Sequence, residues 1–314
     1  MNKLAVVAFG GNALLKSDQK GTISEQEANV YETCTHLVDL IKAGYDIVIG
    51  HGNGPQVGNV LLQHEAGEKT FGIPKMPIDV CVAETQGSIG YMIEQQLRNV
   101  LYKADMERDI ITIITQVLVD KNDKAFKNPT KPIGPYYSKE EADILSKNKG
   151  DVFAEDPRGR GFRKVVASPR PVRINNRKTI EKIARDGQIV VTVGGGGIPV
   201  QYVDGKRLEG IDAVIDKDLA SSMLASQIRA DEFYILTDVS KVYIHFNTPK
   251  QKALDRITVE EAKQYLKEGH FTEGSMAPKV RAAIEFIENG GKRCIITQAA
   301  DLGLPDCGTR IVLN

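Results

Sequence analysis

Three short apolar runs in this chain each end in a glycine-rich loop, and this repeated pattern most constrains the fold. Each run is too short for a buried helix and indicates a buried parallel strand. Glycine lets backbone N–H groups approach an anion closely, because no Cβ stands in the way. Three such exits predict one anion-binding crevice at the carboxyl edge of an α/β sheet. The strands and loops are Leu4–Phe9 with Gly10-Gly11-Asn12, 46–49 with 50–55, and 188–193 with 194–197.

Helical periodicity between these strands completes the alternation that an α/β fold requires. Ser24 and Glu27 match a capping box at the start of a first helix that ends at Gly44. A second helix is predicted to begin at Gly58, and a long third helix covers 76–102. The other predicted elements are strands at 109–115, 213–215, 232–236, 293–297 and 309–313, and helices at 175–184, 219–227, 259–266 and 280–288.

The composition favours a soluble globular protein whose formal net charge is zero and which has no strong overall electrostatic field. Lys and Arg number 41, as do Asp and Glu, so nothing global recruits nucleic acid or an anionic membrane. The chain starts with a strand rather than a signal peptide, and no apolar run approaches a membrane span. The four cysteines are widely separated and form no CxxC or Cys/His cluster. These features predict a cytoplasmic protein with reduced cysteines and no nucleic-acid or membrane partner.

Residues 121–170 differ from the rest of the chain in amino-acid composition. They are rich in Lys, Asp, Glu, Gly and Pro and contain few aliphatic residues. One interpretation is a solvated excursion, although structureless loops of this length are uncommon in compact domains unless functional or disordered. The other interpretation is an ordered protruding lid. Pro129, Pro132 and Pro135 around Lys131 favour the lid, because prolines stiffen the backbone and hold a charged side chain in place.

Lysines in turns flanked by Gly, Pro or Asp are the candidates for an anion site. Phosphoryl transfer depends mostly on positioning and on positive charge against the phosphoryl oxygens. Lys131, Lys217 and Lys279 meet this description, although a single lysine is more often a solvated surface charge. Asp216 and Asp218 flank Lys217, where carboxylates orient an ammonium group or hold a metal, with a surface turn as the competing interpretation.

Other catalytic patterns are absent from the sequence. The glycine loops match neither GxGxxG nor GxxxxGK[ST], so dinucleotide-binding and P-loop interpretations have no support. No Ser/His/Asp or Cys/His constellation and no metal-ligand spacing stands out. His51 lies in a glycine loop, where a lone histidine is more often structural than a general base, and we leave it out of the predicted site.

Eight short motifs, taken in order, resemble those of the carbamate kinases in the amino-acid kinase family. The resemblance runs nearly end to end, and the order of all eight makes it specific. Ala8 stands where the related acetylglutamate and aspartate kinases carry a lysine, and by the resemblance Lys131 supplies that charge instead. The motifs are GGNAL at 10–14, GNGPQVG at 52–58, KPIGP at 131–135, SPRP at 168–171, GGGGIPV at 194–200, IDKD at 215–218, TDV at 237–239 and GSMAPKV at 274–280.

The resemblance implies a three-layer αβα sandwich with an open, mostly parallel sheet and a protruding subdomain at about 121–170. An N-terminal lobe, about 1–210, would hold carbamate or carbamoyl phosphate, and a C-terminal lobe, about 211–314, the nucleotide. The implied activity is reversible, Mg²⁺-dependent phosphoryl transfer between ATP and carbamate, giving ADP and carbamoyl phosphate. Such enzymes usually make ATP in arginine catabolism through the deiminase pathway or in related fermentations, and are typically homodimers.

The resemblance also assigns roles to residues. Lys131, Lys217 and Lys279 would neutralise charge on the phosphoryl group in flight, and Asp218 would hold the lysines in register. Mg²⁺ would be held mainly by the nucleotide phosphates rather than by protein ligands. Carbamate brings its own ionised oxygen, so no general base is required. The implied substrate-binding residues are Gly10, Gly11, Asn12, Gly52, Asn53 and Gly54, and the implied nucleotide-binding residues are Gly195, Gly196, Lys217, Thr237, Asp238, Val239, Tyr243, Met276, Pro278 and Lys279.

Two alternatives remain open at this point. The same fold could act as a carbamoyl phosphate synthetase using ammonia and bicarbonate, or on another small carboxylic acid. A different class is a catalytically silent sensor of nucleotide or phosphate. Retention of the three lysines and Asp218 argues against a sensor, since a sensor has no use for transition-state charge.

Overall fold

The computed structural model describes residues 2–16, 18–156, 159–304 and 306–314. Pro157 and Arg158, which belong to the predicted protruding segment, lie outside the described residues. The helices are α1 Ile23–Lys42, α2 Gly54–Phe71, α3 Ile78–Lys103, α4 Lys139–Lys149, α5 Arg177–Arg185, α6 Lys217–Gln227, α7 Val259–Lys267 and α8 Met276–Glu288. The strands are β1 Leu4–Phe9, β2 Asp46–His51, β3 Ile110–Thr112, β4 Gln116–Val119, β5 Lys131–Tyr137, β6 Phe153–Glu155, β7 Phe162–Val166, β8 Pro171–Ile174, β9 Ile189–Val191, β10 Ile198–Val203, β11 Arg207–Gly210, β12 Glu232–Leu236, β13 Val242–Ile244, β14 Lys252–Leu254, β15 Arg256–Thr258, β16 Arg293–Thr297 and β17 Thr309–Val312.

An eight-stranded sheet forms the centre of the molecule, in the order β15-β17-β16-β12-β1-β2-β9-β3. Its neighbouring strands run parallel except for the antiparallel pair β16 and β17. This arrangement confirms the predicted α/β class with an open, mostly parallel sheet. The division into lobes at about residue 210 stays a prediction. One continuous sheet crosses that boundary, because β1 pairs directly with β12.

The alternation of side chains along β1 explains the three layers. Leu4, Val6 and Ala8 face a hydrophobic cluster that includes apolar residues of α5, α6, α7 and α8. Ala5, Val7 and Phe9 face a second cluster with α1 and α3. Both faces of the strand are covered, which is why its sequence is continuously apolar.

Of the four cysteines, which are all free, three are buried and Cys307 is half-buried.

The segment predicted as a lid carries regular structure in its described part. Strands β5, β7 and β6 form a small antiparallel sheet in that order, joined by α4. Ile133 and Val166 bury their side chains with Val57 of α2 and Val82 of α3. This contact attaches the small sheet to the body of the protein and favours the ordered lid over the solvated excursion. A separate four-stranded sheet has the order β11-β10-β4-β8.

Several predicted element boundaries were wrong, mostly at helix starts. The capping box of α1 is Thr22 with Glu25, not Ser24 with Glu27. Helix α2 begins at Gly54, earlier than predicted. Pro55 is tolerated in the first turn, because the backbone N–H that proline lacks has no partner within the helix at that position. Helix α8 likewise begins at Met276 rather than at residue 280.

Two predicted strands also differ. The run 109–115 is a strand only over β3, because the chain then leaves the main sheet to form β4 in another sheet. The residues 213–215 form no strand; they are buried, and Val214 N–H donates to Ala167 O. Lys217 and Asp218 therefore lie in the first turn of α6. None of the helices in the described residues combines the length and the apolar character that spanning a bilayer requires.

Candidate functional site

The three glycine-rich loops meet at one edge of the main sheet, as the sequence predicted. Strands β1, β2 and β9 are neighbours and parallel, so their carboxyl ends lie side by side. Two cavities open at this edge, of about 190 Å³ and about 330 Å³, and they share Gly11, Gly274, Ser275 and Lys279. The larger cavity lies on the α1 side of the first glycine loop, and the smaller lies between the loops and the small sheet.

Most of the predicted site residues line these two cavities. The first contains Gly11, Gly52, Asn53, Gly54, Lys131, Gly195, Lys217, Asp218, Pro278 and Lys279. The second contains Gly10, Gly11, Asn12, Thr237, Asp238 and Lys279. Four predicted nucleotide-binding residues line neither cavity, namely Gly196, Val239, Tyr243 and Met276. Their predicted roles stay predictions.

The three predicted lysines converge on two carboxylates. Lys217 Nζ lies 2.5 Å from Asp218 Oδ1, and Lys279 Nζ lies 2.9 Å from Asp218 Oδ2. Lys131 Nζ lies 2.7 Å from Asp216 Oδ2. Three ammonium groups against two carboxylates leave an excess of positive charge in the cavity. Asp218 keeps only 3% of its side chain exposed, so both of its oxygens are held by lysines rather than by water.

Burial and pairing act against each other on the pKa values of these groups. Burial lowers the pKa of Lys217, partly offset by the Asp218 carboxylate. Burial also opposes the charge on Lys279, but Asp218 outweighs it and the pKa of Lys279 is raised. For Asp218 itself, burial works against ionisation, and the two lysines overcome it, so its pKa is well below the usual range. The pairing therefore favours the charged forms of Asp218 and Lys279, whereas burial works against the charge on Lys217.

Three helix N-termini reinforce the positive character of the first cavity. Helix α2 begins at Gly54 and α6 begins at Lys217, both of which line the cavity. Lys279 lies in the first turns of α8. Each helix start is the positive end of a macrodipole. Together with the lysines, they make the cavity suited to a multiply charged anion.

Asp216 has two structural functions that the sequence only suggested. Its Oδ2 accepts from Lys131, while its Oδ1 accepts from the backbone N–H groups of Asp218 and Leu219 at the start of α6. It thereby joins the small sheet to α6. Lys131 lowers the pKa of the Asp216 carboxyl against the opposing effect of burial. The Asp-Lys-Asp sequence signalled a charged turn, but it did not show that Lys131, 85 residues away, is the partner.

Helix α3 holds the glycine loops from behind, which sequence reasoning missed. Asn53 donates through its side-chain nitrogen to Thr85 Oγ1 at 2.9 Å. Gln86 donates to the carbonyl oxygen of Gly194 at 3.0 Å. Gly195 has φ +63°, and a Cβ there would lie 2.2 Å from the Asn53 side chain, so only glycine fits. No local pattern in the sequence marked the α3 side chains as support for the loops.

His51 is buried beneath its loop and lines neither cavity. Its Nδ1 donates to the carbonyl oxygen of Gly52 at 2.9 Å. Burial lowers the pKa of His51 to about 4, and the Lys217 charge acts in the same direction. The imidazole is therefore neutral at pH 7.

Several lining residues were not among the predicted site residues. Ser275 lines both cavities, and Gln56 lines the first. On the second cavity, α1 contributes Glu32 and His36, and Lys16 pairs with Glu32 at 2.9 Å. The described lining of the first cavity offers ammonium, carboxylate, amide and hydroxyl groups without imidazole or thiol. Such a site stabilises charge on an anion and places it against a second ligand.

The comparisons with known proteins agree with this geometry. The model of the amino acid kinase family matches residues 3–298. A carbamate kinase from Pyrococcus furiosus is 51% identical over 296 residues, which cover 94% of each chain. A structure of carbamate kinase from Giardia lamblia bound to citric acid has a TM-score of 0.93 at 42% identity, covering 100% of this chain and 99% of that one. The same Giardia lamblia enzyme bound to AMP-PNP gives a TM-score of 0.90 with the same coverage and identity.

Proposed function

The chain belongs to the amino acid kinase family, and we propose that it transfers a phosphoryl group between ATP and carbamate, giving ADP and carbamoyl phosphate. The observation that carries this proposal is the cluster of Lys131, Lys217 and Lys279 around Asp216 and Asp218, facing the glycine loops. The similarity to carbamate kinases over nearly the whole chain supports the choice of acceptor.

The proposed step is a direct, in-line transfer. A carbamate oxygen forms a bond to the γ-phosphorus while the bond from that phosphorus to the bridging β,γ oxygen breaks. The glycine loops at 10–12 and 52–54 bind the carbamate and the transferring group through backbone N–H groups. The three ammonium groups offset the negative charge on the phosphoryl oxygens during transfer. The attacking oxygen is already ionised, so no side chain has to remove a proton.

The nucleotide is assigned to the larger cavity and its surroundings. Thr237 and Asp238 follow β12 and line this cavity together with Lys279, which also reaches the first cavity. Lys279 is thus placed between the two ligands. The AMP-PNP complex of the Giardia lamblia carbamate kinase supports nucleotide binding by this fold. Val239, Tyr243, Met276 and Pro278 complete the proposed nucleotide-binding set with the glycines at 195 and 196.

Mg²⁺ is proposed to bind with the nucleotide, and the charges of the site fit that assignment. Asp216 and Asp218 are already paired with lysines, and Glu32 is paired with Lys16. Asp238 is exposed at the edge of the second cavity. Mg²⁺ commonly binds through substrate phosphates and waters with only one or two carboxylates. The ion would therefore be held mainly by the phosphates, with Asp238 as the acidic residue available to it, and would supply further neutralisation of phosphate charge.

Three further parts of the proposal come from the family resemblance. They are the ATP-forming direction in arginine or related fermentative catabolism, a cytoplasmic location and assembly as a homodimer. Each stays a prediction. A measurement of molecular mass in solution would test the homodimer. A measurement of the ATP that cells form from carbamoyl phosphate would test the direction of the reaction.

The test of the proposed function is ATP formation from ADP, Mg²⁺ and a panel of acyl phosphates. We expect rapid ATP formation from carbamoyl phosphate and little from acetyl phosphate or acetylglutamyl phosphate. A protein with Lys217→Ala, purified in parallel, controls for a contaminating kinase. If the protein forms ATP from another acyl phosphate in preference to carbamoyl phosphate, its acceptor is another carboxylic acid rather than carbamate. Nucleotide binding without any ATP formation would favour the sensor.

The synthetase alternative is separated by stoichiometry. In the forward direction, carbamate forms from ammonia and bicarbonate without the enzyme, and a kinase then consumes one ATP for each carbamoyl phosphate. A synthetase that activates bicarbonate itself uses an additional ATP. Counting ADP and carbamoyl phosphate in the same reaction therefore distinguishes the two.

The position of Lys131 depends on a close contact that admits only glycine. Gly58 of α2 packs against Gly134 of β5, and a Cβ on Gly58 would lie 1.9 Å from Gly134 Cα. Gly58→Ala would push β5, and Lys131 with it, away from Asp216. We expect kcat to fall about 10–100-fold, because a displacement of about 1 Å in a reacting group has an effect of this size.

A glycine elsewhere on the same helix supplies the control. A Cβ on Gly67 would meet only one atom within 4 Å, the Cβ of Ile73 at 4.0 Å. Gly67→Ala should keep full activity and raise the free energy of unfolding by up to about 1 kcal/mol through helix propensity. Equal rates in the two variants would show that the contact of α2 with β5 does not set the position of Lys131.

A further inference from the structure

A group of metal-ligating side chains lies away from both cavities, where α2 packs against α3. His64 belongs to α2, and Cys81 and Glu84 belong to α3. One ligand atom from each lies within 4.8 Å of the other two. None of the three lines either cavity, so the proposed function does not use them. The sequence showed no metal-ligand spacing here, because the loop at 72–77 separates His64 from its two partners.

The fold presents the three groups at different depths. Cys81 and Glu84 are three residues apart on α3 and so lie on one face of that helix. Cys81 is fully buried. His64 has 22% of its side chain exposed and Glu84 has 42%. The thiol therefore forms the floor of a shallow site, and the carboxylate forms its rim, which gives a small ion access from solvent.

The present contacts within the group are compatible with exchange for a cation. His64 Nε2 lies 2.9 Å from Glu84 Oε1. Cys81 Sγ lies 3.8 Å from the carbonyl oxygen of Met76, a weak hydrogen bond. A cation would replace one imidazole–carboxylate contact and one weak thiol contact with three ligand bonds.

The charges around the thiol also favour a cation. The carboxylates of Glu84, Asp79 and Asp212 lie around the Cys81 thiol. The backbone N–H of Ile78, at the start of α3, donates a hydrogen bond to the Asp212 carboxylate and holds it near Cys81. Three carboxylates near one thiol repel a thiolate that has no counter-ion and attract a divalent cation. A bound cation takes the place of the thiol proton.

We propose that His64, Cys81 and Glu84 bind a thiophilic divalent cation of the zinc class, with water as the fourth ligand. Zn²⁺ takes nitrogen, sulfur and carboxylate ligands at about 2.0–2.3 Å, so tetrahedral ligand atoms stand about 3.4–3.6 Å apart. The three ligand atoms already lie within 4.8 Å of one another, so small side-chain movements bring them to that spacing. The thiolate selects this class over Mg²⁺, which prefers oxygen ligands.

Occupation of the site would join α2 to α3. Helix α2 carries Gly54 at the first cavity and Gly58 against the small sheet, while α3 supports the glycine loops through Thr85 and Gln86. The cation therefore ties together two elements that surround the active site. Since it binds the folded protein and links two helices, we expect it to raise the melting temperature.

The test uses the intact protein without nucleotide, freed of metal with a chelator and then titrated with Co²⁺ and Zn²⁺. We expect one Co²⁺ per chain with a thiolate-to-cobalt charge-transfer band, displacement of that band by Zn²⁺, and a higher melting temperature with Zn²⁺. Mg²⁺ at the same concentration should produce neither change. Absence of the band in the unaltered protein overturns the proposal.

Variants assign the signal to the three residues. Cys81→Ser should remove the charge-transfer band and weaken Zn²⁺ binding at least about tenfold, since losing even an outer partner of a ligand has an effect of that size. His64→Gln, at a partly exposed position, should weaken binding without loss of fold, which covers the case in which Cys81→Ser fails to fold. Cys307→Ser is the matched control and should keep the band. Unchanged affinity in His64→Gln, or loss of the band in Cys307→Ser instead, would place the metal elsewhere.

Discussion

Replacing Lys131 by alanine is expected to lower kcat by about 10²–10³-fold, the usual effect of removing one group that stabilises transition-state charge. Lys131 reaches the cavity from β5 and is held by Asp216 at 2.7 Å. Its side chain is 27% exposed, so its removal leaves no large void in the core. The measurement is steady-state ATP formation from carbamoyl phosphate, with a thermal melt to confirm the fold.

The small sheet also supplies a matched control for this variant. Lys164 lies on β7 of the same sheet, pairs with Asp151 at 2.7 Å and is 24% exposed. Lys164→Ala thus removes a similar charge and a similar ion pair away from the cavities. It should keep kcat within about twofold, as expected for a surface ion pair of small energy. An unchanged rate for Lys131→Ala, or an equal loss in both variants, would remove Lys131 from the mechanism.

Replacing Asp218 by asparagine is expected to lower kcat about 10²–10³-fold, with less than about a tenfold change in nucleotide affinity. The carboxylate holds Lys217 and Lys279 together, and an amide of the same shape accepts a hydrogen bond but cannot offset two buried charges. The lysines would move apart and lose their positions around the phosphoryl group. Turnover depends on those positions in the transition state, whereas nucleotide binding draws on many other contacts.

Stability must be measured beside activity for this variant. Breaking a buried ion pair by removing one partner costs up to about 3–5 kcal/mol, so the melting temperature of Asp218→Asn should fall. Asp231→Asn is the control, because Asp231 accepts from Leu4 N–H and Lys292 at the opposite, amino end of β12. It should lower stability without lowering kcat. A folded Asp218→Asn protein with normal kcat and lost ATP binding would show that Asp218 serves the nucleotide alone.

Much of the site could be predicted because its residues carry local signals. Glycines after apolar runs marked the loops at 10–12, 52–54 and 194–197, and all three loops contribute to the cavities. Lys217 and Lys279 were marked by Asp and Pro neighbours, and both lie at helix starts in the structure. The predicted boundaries of helices and strands were wrong where the same residue types suit more than one kind of structure. Gly54-Pro55 suits a turn as well as a first helical turn, and the buried run at 213–215 has the composition of a strand without a strand partner.

The amino-acid sequence by itself determined the α/β class, the three glycine exits and the candidate lysines, because periodicity and turn chemistry depend on residues a few positions apart. Only the tertiary structure decided which charges meet. The pairing of Lys131 with Asp216, the support of Asn53 by Thr85 and the approach of His64 to Glu84 all join residues far apart in the chain. Such contacts depend on strand register and on how helices pack against the sheet, and both are set by the burial of the whole core.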